Sequence, residues 1–204
     1  MHDFPIMLNV RGRRCVVVGG GRVASRRATS LVAAGANVTV VAPDLDASVR
    51  AIEVQCIARP YQRGDLKGAF LVVVATDNEN VNDAAAQEAR EEGALLNRSD
   101  DSTAGDVTVP AHARHGCLTL CVHTSGVSAT AAAAIRRDLS HALDKDWVRL
   151  LDVVSPYRSR ICDTIEDPST RRQRLTDMVG NEAMRALKTG GEEALRAHCD
   201  QLCP

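Results

Sequence analysis

Residues 15–24 read CVVVGGGRVA, and this stretch decides the fold. A short run of valines is followed by three glycines and then by a segment with helical spacing of its apolar residues. The stretch matches the pattern G-x-G-x-x-A between a strand and a helix, which is typical of dinucleotide-binding sheets. In that pattern Gly19 allows a tight turn, Gly21 lets the backbone approach a pyrophosphate, and Ala24 allows the helix to pack closely on the sheet.

The same alternation of strand and helix patterns continues through the first hundred residues. Further strands are predicted at 38–42, 52–58, 70–75 and 94–97, and helices at 22–34 and 80–92. Apolar runs separated by helical segments indicate a parallel sheet that is covered on both faces. We therefore expect an α/β fold with a doubly wound Rossmann-type parallel sheet.

The pattern changes after about residue 112. One strand is predicted at 117–123 and a helix rich in small residues at 128–143. The rest has helical periodicity without a β-rich run, and we expect it to be interrupted at Pro156, Pro168 and Gly190–Gly191. These patterns predict a Rossmann domain over 1–112, a strand-helix region over 113–146 and a small all-helical C-terminal domain over 147–204.

Composition narrows the classes of ligand. The chain has 204 residues, 25 basic and 26 acidic side chains and a net charge of -1, which argues against a partner such as nucleic acid. Aromatic residues make up 2% of the chain, which argues against base-stacking platforms and aromatic sugar clamps. The ligand is therefore expected to be held by backbone groups, small side chains and charge.

Composition also bears on location. No run approaches the roughly 20 apolar residues that span a bilayer, and the first residues, MHDFPIMLNVRGRR, do not have the pattern of a secretory signal. Seven cysteines without an export signal indicate reduced thiols. We therefore expect a cytoplasmic protein without a membrane partner.

Asp44, just beyond the second predicted strand, bears on the choice of cofactor. A carboxylate there would accept hydrogen bonds from ribose hydroxyls and repel a 2′-phosphate, which favours NAD over NADP. Two alternatives stand against this interpretation. Asp44 could instead cap the helical segment 45–50, and Arg22 beside the glycine turn could attract a phosphate.

The end of the fourth predicted strand is a second candidate for cofactor contact. Parallel sheets place their ligands at the carboxyl ends of the strands, and Thr76 and Asp77 follow that strand directly. Asn80 is expected to cap the helix that comes next.

Six segments along the chain form a recognisable set: FPIMLNV (4–10), GRRCVVVGGGRVASRRA (12–28), VVVATDNENVN (72–82), LNRSD (96–100), DVTVPA (106–111) and HTSGVS (123–128). Taken together, these segments resemble the precorrin-2 dehydrogenase family, which includes the dehydrogenase module of siroheme synthases. The resemblance covers about the first 145 residues in order, and the helical tail fits less specifically.

The resemblance implies NAD-dependent oxidation of precorrin-2 to sirohydrochlorin, a step in siroheme biosynthesis. It implies that Asp100, which closes an Asn-x-x-Asp motif, is the essential acid, either as proton acceptor or as orienter of the substrate while hydride leaves for the nicotinamide. By the resemblance, the cofactor is met by the glycine turn Gly19, Gly20 and Gly21 and by Arg22, Val23, Pro43 and Asp44. The position of Thr76 and Asp77 at a strand end adds these two residues to the expected cofactor-binding set.

The resemblance also implies a homodimer formed through about residues 113–146 and, in some members, iron insertion into sirohydrochlorin in the same cleft. Thr124, Ser125 and Gly126 become candidates for substrate binding. Arg98 and Ser99 stand where many relatives have apolar residues, and Ala129 stands where many have proline.

Arg98 is a further candidate for substrate binding. Its guanidinium could grip a substrate carboxylate, or it could pair with Asp100 or a surface acid, which would lower the proton affinity of Asp100. The neighbouring Asp101 leaves open which of the two carboxylates acts.

Several histidines and cysteines are candidate metal ligands by residue type. His112, His115 and His123 invite that interpretation, with His123 the best of the three, but histidines with a structural or exposed role are commoner. Cys117 and Cys121 would be too far apart on a strand to share a metal, and nothing near Cys199 and Cys203 completes a zinc site. We expect no metal site.

Without the resemblance, two other classes compete with a dehydrogenase. One is an NAD-binding regulatory or sensor module without catalysis, and the other is a methyltransferase that binds S-adenosylmethionine at a similar glycine turn. A thermal-shift comparison distinguishes the methyltransferase from the NAD-binding classes, because the methyltransferase would be stabilised by S-adenosylmethionine and not by NAD.

Overall fold

The structure is a computed structural model that describes residues 3–101 and 103–203; residues 1, 2, 102 and 204 lie outside it. Its strands are β1 (Arg14–Val18), β2 (Asn37–Ala42), β3 (Gln55–Ala58), β4 (Leu71–Val74), β5 (Leu95–Arg98), β6 (Ala111–His115) and β7 (Leu118–Val122). Its helices are α1 (Arg22–Ala33), α2 (Ala47–Arg50), α3 (Glu79–Glu91), α4 (Ala129–Ala142), α5 (Asp146–Thr164), α6 (Pro168–Asp177) and α7 (Asn181–Leu202). The described residues divide into two compact units between Val109 and Pro110.

The first unit is a parallel sheet of five strands in the order β3-β2-β1-β4-β5. β1 lies at the centre, with Val18 beside Val41 of β2 and Val74 of β4. Because all five strands are parallel, the segments after β1, β2, β4 and β5 all leave from the same edge. The predicted Rossmann-type α/β fold is confirmed.

Both faces of this sheet are buried, as the near-continuous valine runs require. Val17 and Val73 pack into the core on one face, and Val16 and Val72 into the core on the other. Alanines at the inner positions of the helices, such as Ala24 of α1, allow the helices to approach the sheet closely. Each fully buried valine contributes about 2 kcal/mol by removal of apolar surface from water.

A buried carboxylate attaches the segment between β3 and β4 to helix α3. Glu88 is 3% exposed, and it accepts hydrogen bonds from the backbone N–H groups of Gly64 at 2.9 Å and Leu66 at 3.0 Å. The Tyr61 hydroxyl donates to the same carboxylate. Burial, together with this hydrogen bond, raises the pKa of Tyr61. A carboxylate with this many donors can be buried without leaving its charge unpaired.

The second unit contains an antiparallel hairpin and four helices. β6 pairs with β7, from Ala111 opposite Val122 to His115 opposite Leu118, and α4 packs against both strands. The predicted strand is confirmed as β7, but the sequence patterns missed β6. Its sequence, AHARH, has no bulky apolar residue, and only alternate residues are partly buried.

Helices α5, α6 and α7 pack around a separate core. Leu150 and Ile161 of α5 and Leu187 and Leu195 of α7 are fully buried or nearly so. Of the predicted interruptions, Pro168 begins α6 and Gly191, with φ of 71°, breaks the helical path inside α7. The interruption at Pro156 was wrong, because α5 continues through it. None of the described helices combines the length and apolar character needed to cross a membrane.

Candidate functional site

The glycine turn after β1 is built around close backbone approaches. Gly19 has φ of 129°, and a Cβ there would lie 2.2 Å from the carbonyl oxygen of Ala75. A Cβ on Gly20 would lie 1.9 Å from the carbonyl oxygen of Asp44. Neither position can accept a larger side chain unless a neighbouring strand end moves. The turn is therefore fitted between the ends of β2 and β4.

Gly21 differs from the other two glycines. A Cβ built on it would meet no described atom within 4 Å, so the space above the turn is open. Gly21 is also the N-cap of α1, and no side chain caps that end. The first amides of α1 and the positive end of its dipole lie at this uncapped helix terminus, which is the kind of site that binds a pyrophosphate. The turn thus fits the dinucleotide that its sequence predicts.

The other predicted contacts near this turn lie at the surface. Arg22 and Val23 are exposed in the first turn of α1, and Pro43 and Asp44 are exposed after β2. The capping alternative for Asp44 was wrong, because Asp46 caps α2 and accepts from the N–H of Ser48 at 2.8 Å. The Asp44 carboxylate therefore does not serve as that cap.

The two residues predicted to contact the cofactor at the end of β4 differ in their exposure to solvent. Asp77 is exposed, whereas Thr76 is partly buried and its hydroxyl lies 2.6 Å from the amide oxygen of Asn82. The predicted cap at Asn80 was wrong, since Asn78 caps α3 and accepts from the N–H of Val81 at 3.2 Å.

Asp100 lies in a cluster of side chains beyond β5. Arg98 donates from Nε to Asp100 Oδ1 at 3.0 Å and from Nη2 to Oδ2 at 2.5 Å, so the two groups form a two-pronged ion pair. Arg98 also donates from Nη1 to Asp83 at 2.6 Å. The Arg98 side chain is 10% exposed and that of Asp100 is 33% exposed. Of the expected roles for Arg98, this geometry supports pairing with Asp100.

This ion pair determines the charge state of the site. The hydrogen bonds from Arg98 are the main reason that the pKa of Asp100 falls to about 2; burial opposes the shift and a hydrogen bond from Asn82 adds to it. The same contacts raise the pKa of Arg98. Asp100 is therefore an ionised carboxylate at neutral pH and a poor acceptor of a proton.

The geometry also distinguishes the two neighbouring aspartates. Asp101 is exposed, and its carboxylate accepts from the backbone N–H of Thr103 at 2.8 Å and from the hydroxyl of the same residue at 2.7 Å. The described hydrogen bonds of Asp101 thus stay within its own loop, whereas Asp100 accepts hydrogen bonds from Arg98 of β5 and Asn82 of α3. This difference favours Asp100 as the acting acid.

Sequence reasoning missed Asn82 and Asp83 of α3 as members of this cluster. Asn82 is 2% exposed and donates to Asp100 Oδ2 at 3.0 Å. A signal was present, because helical spacing places Asn82 on the same face as the inward alanines Ala85 and Ala89. A polar side chain at a buried helix position calls for a specific partner.

The remaining candidates for substrate binding belong to the second unit, in the loop between β7 and α4. The Thr124 hydroxyl donates to the Ser128 carbonyl at 3.1 Å and accepts from its N–H at 3.2 Å, so this side chain closes the loop on itself. Ser125 and Gly126 are exposed and have φ of 50° and 82°.

The three candidate histidine ligands do not form a metal site. His112 and His115 point to opposite faces of β6, since exposed and partly buried residues alternate along the strand. His123 follows β7. Within residues 3–101 and 103–203, no three His, Cys, Asp or Glu side chains are grouped so that they could hold a metal ion.

Comparison with known proteins identifies relatives of the chain. The model of an NAD(P)-binding family matches residues 6–111. Siroheme synthase from Chromobacterium violaceum is 33% identical over 205 residues, covering 98% of this chain and 44% of that protein. Siroheme synthase from Photobacterium profundum is 34% identical over 177 residues, covering 85% of this chain and 38% of that protein. The chain thus spans less than half the length of these two relatives.

Two shorter relatives match along nearly their whole length. Precorrin-2 dehydrogenase from Priestia megaterium is 29% identical over 183 residues, covering 88% of this chain and 90% of that protein. The solved structure of SirC, a precorrin-2 dehydrogenase, superimposes with a TM-score of 0.80 at 26% identity and covers 98% of this chain and 100% of that one. The resemblance predicted from the sequence is confirmed: the chain belongs to the NAD(P)-binding family, as a homologue of the siroheme synthases and precorrin-2 dehydrogenases.

Proposed function

We propose that this protein is an NAD-dependent dehydrogenase that oxidises precorrin-2 to sirohydrochlorin in siroheme biosynthesis. The observation that carries the proposal is the position of Asp100 and its partners, at the same carboxyl edge of the sheet as the open glycine turn. The match along 90% of a precorrin-2 dehydrogenase supports the choice of substrate.

The cofactor would be held mainly by backbone. Gly19 and Gly20 keep the turn tight, and the open space at Gly21 gives a pyrophosphate access to the amides of α1. Arg22, Val23 and Pro43 line the exposed surface nearby, and Asp44 favours NAD through its carboxylate. When bound, NAD supplies the hydride acceptor.

Asp100 acts through its charge. Loss of a hydride leaves positive charge on the tetrapyrrole, and a carboxylate that stays ionised stabilises that charge without having to take up a proton. Its low pKa, caused by Arg98, favours the role of electrostatic stabiliser and orienter over that of proton acceptor. The proton that completes the oxidation is released to water.

The test compares Asp100→Ala with Asp101→Ala. Sirohydrochlorin formation is followed spectroscopically, and NAD affinity is measured separately by calorimetry. We expect Asp100→Ala to lower kcat by about 100-fold or more with NAD affinity unchanged, and Asp101→Ala to lower it by less than about threefold, a change worth under about 1 kcal/mol. Near-normal turnover in Asp100→Ala would contradict the assignment, and stabilisation by NAD with no turnover in the wild type would favour a regulatory module.

We also propose a homodimer formed through residues 113–146. Ile135 and Leu139 of α4 are 46% and 47% exposed, which leaves apolar surface available for a partner copy. Sedimentation of the wild type and of Leu139→Arg tests this: the wild type should be a dimer and the variant a monomer. A monomeric wild type would contradict it.

Iron insertion into sirohydrochlorin, with ferrous iron as a substrate, is a second activity that rests on the resemblance. It is tested by the loss of sirohydrochlorin absorbance with ferrous iron and enzyme in the absence of NAD. If the absorbance is lost at the same rate with and without the protein, the chain does not have this second activity.

We also propose a cytoplasmic location, which is supported by seven cysteines that are all unpaired thiols.

A further inference from the structure

Asn82 is the buried polar side chain that connects the end of β4 to Asp100. It lies one turn into α3, after the N-cap Asn78, and is 2% exposed. Its amide nitrogen donates to the Thr76 carbonyl at 3.0 Å and to Asp100 Oδ2 at 3.0 Å. Its amide oxygen lies 2.6 Å from the Thr76 hydroxyl. Every polar atom of the side chain therefore has a partner.

The orientation of this amide is set by Thr76. The Thr76 hydroxyl accepts from the Asn78 N–H at 3.1 Å, and its single hydrogen can go to the Asn78 carbonyl at 3.2 Å or to the Asn82 oxygen at 2.6 Å. The shorter contact favours Asn82 as the acceptor. A flipped amide would place its oxygen against both the Thr76 carbonyl and the Asp100 carboxylate, which repel it. The NH₂ group must therefore face Asp100.

Asn82 and Arg98 hold Asp100 in different ways. Arg98 supplies two of the three side-chain hydrogen bonds to the carboxylate, but its guanidinium ends a long flexible side chain and is shared with Asp83. Asn82 has a short side chain on a helix that packs on the sheet, and its amide is already fixed by Thr76. Asn82 is therefore the side chain that ties the Asp100 carboxylate to Thr76 at the end of β4.

We propose that Asn82 is a positioning residue, which fixes the Asp100 carboxylate relative to the end of β4, where the candidate cofactor contacts Thr76 and Asp77 lie. This inference rests on the proposed catalytic role of Asp100. The side-chain contacts of Asn82 are with Thr76 and Asp100, and we assign it an effect on the reaction only through Asp100. The link from Thr76 through Asn82 to Asp100 thus joins one candidate cofactor contact to the candidate acid by two successive hydrogen bonds.

The decisive variant is Asn82→Asp, which keeps the shape and replaces the N–H donor by a carboxylate oxygen. The charged groups around Asp100 are Arg98 on β5, Asp83 on α3 and the adjacent Asp101. A second carboxylate about 3 Å from Asp100 Oδ2 makes it costly for both to ionise, so the pair retains a proton to higher pH. We expect the acidic limb of the kcat/KM profile to move up by at least about one pH unit.

The expected kinetic change is specific. At pH 7 we expect kcat of Asn82→Asp to fall by about 10-fold or more, which is about 1.4 kcal/mol of barrier, with the Kd for NAD unchanged. The matched control is Asn80→Asp, the same chemical change on the same helix at an exposed position. It should keep both the wild-type kcat and the wild-type pH profile.

Asn82→Ser provides a second variant that adds no charge. It is used if circular dichroism shows that Asn82→Asp is not folded. It should lower kcat by about 10-fold with unchanged NAD affinity. Because it removes a hydrogen bond that lowers the pKa of Asp100, the acidic limb should move up, but by less than in Asn82→Asp. Wild-type kcat in the folded Asn82 variants, together with an inactive Asp100→Ala, would overturn the positioning role alone. An active Asp100→Ala would overturn the proposed role of Asp100 and this inference with it.

Discussion

The glycine turn after β1 and the Asp100 cluster after β5 lie at the same edge of one sheet but are built in opposite ways. The turn uses backbone and empty space: Gly19 and Gly20 leave no room for a carbon atom, and Gly21 opens to its surroundings. The cluster uses side chains that satisfy one another, so that Asp100 receives hydrogen bonds from Arg98 and Asn82.

This difference has a physical reason. A pyrophosphate is recognised by amide donors and a helix dipole, and side-chain atoms between the backbone and the ligand would only keep it away. A carboxylate that must remain charged and correctly directed needs donors that are fixed in place. The two regions should therefore respond differently to substitution.

The largest effect is expected from filling the turn. Gly20→Ala would place a carbon 1.9 Å from the Asp44 carbonyl oxygen, so a strand end must move. We expect the free energy of unfolding to fall by about 3 kcal/mol, measured by urea denaturation.

Gly21→Ala is the matched comparison, since its Cβ meets no described atom within 4 Å. It should lower the free energy of unfolding by only about 0.5 kcal/mol and yet weaken NAD binding by about 10-fold or more. Unchanged NAD affinity in Gly21→Ala would contradict a role for this open space in cofactor binding, and equal loss of stability in both variants would contradict the steric difference between the two glycines.

The second prediction removes the ion pair from the other region. Arg98→Met deletes three charge-assisted hydrogen bonds, so the pKa of Asp100 should rise from about 2 towards the ordinary aspartate value. We expect the free energy of unfolding to fall by about 2 kcal/mol at pH 7. The pKa is measured by NMR titration of the carboxyl carbon, and calorimetry gives the stability.

Arg137→Met serves as the control for loss of an arginine, because its side chain is 60% exposed and pairs only with the adjacent Asp138 among the described residues. It should leave the pKa of Asp100 and the stability near their wild-type values. An unchanged Asp100 pKa in Arg98→Met would mean that the pair does not form in solution.

The third prediction concerns acid. Because the folded-state pKa of Asp100 is about 2, below its unfolded value near 4, its contribution to stability is present above pH 4. That contribution is lost as the pH falls from 4 to 2, since the unfolded state then binds the proton first. With Asp100 one-third exposed, solvent screening reduces the effect to about 1 kcal/mol.

Stability of Asp100→Asn should therefore fall less steeply than that of the wild type between pH 4 and pH 2. The measurement is urea denaturation at a series of pH values, with the midpoint followed in each. Parallel curves for the two proteins would contradict the low pKa.

The smallest effect is expected at Asp44. Asp44→Asn removes the charge that repels a 2′-phosphate, so the preference for NAD over NADP should narrow by about threefold. Asp46→Asn, which alters the cap of α2 two residues later, should leave that preference unchanged. The measurement is the ratio of the dissociation constants for NADP and NAD. An unaltered ratio in Asp44→Asn would show that Asp44 does not determine the preference for NAD.

Much of the first unit was predictable because its signals are local. The valine runs and the glycines between them specify buried strands and a tight turn within a few residues of each other. The second unit was harder: β6 lacks bulky residues, and the helix through Pro156 is stabilised by packing of Leu150 and Ile161 against other helices, which a local pattern does not contain.

The sequence by itself determined the sheet and the glycine turn, since both depend on residue types at short and regular spacing; the resemblance to a known family indicated the candidate acid. Only the tertiary structure decided that Arg98 pairs with Asp100 and that Asn82 reaches the same carboxylate. Asn82 and Asp100 are 18 positions apart on different elements, and they meet because α3 packs beside β5. The direction of the Asp100 carboxylate follows from that meeting, which no local pattern encodes, while its low pKa comes mainly from Arg98.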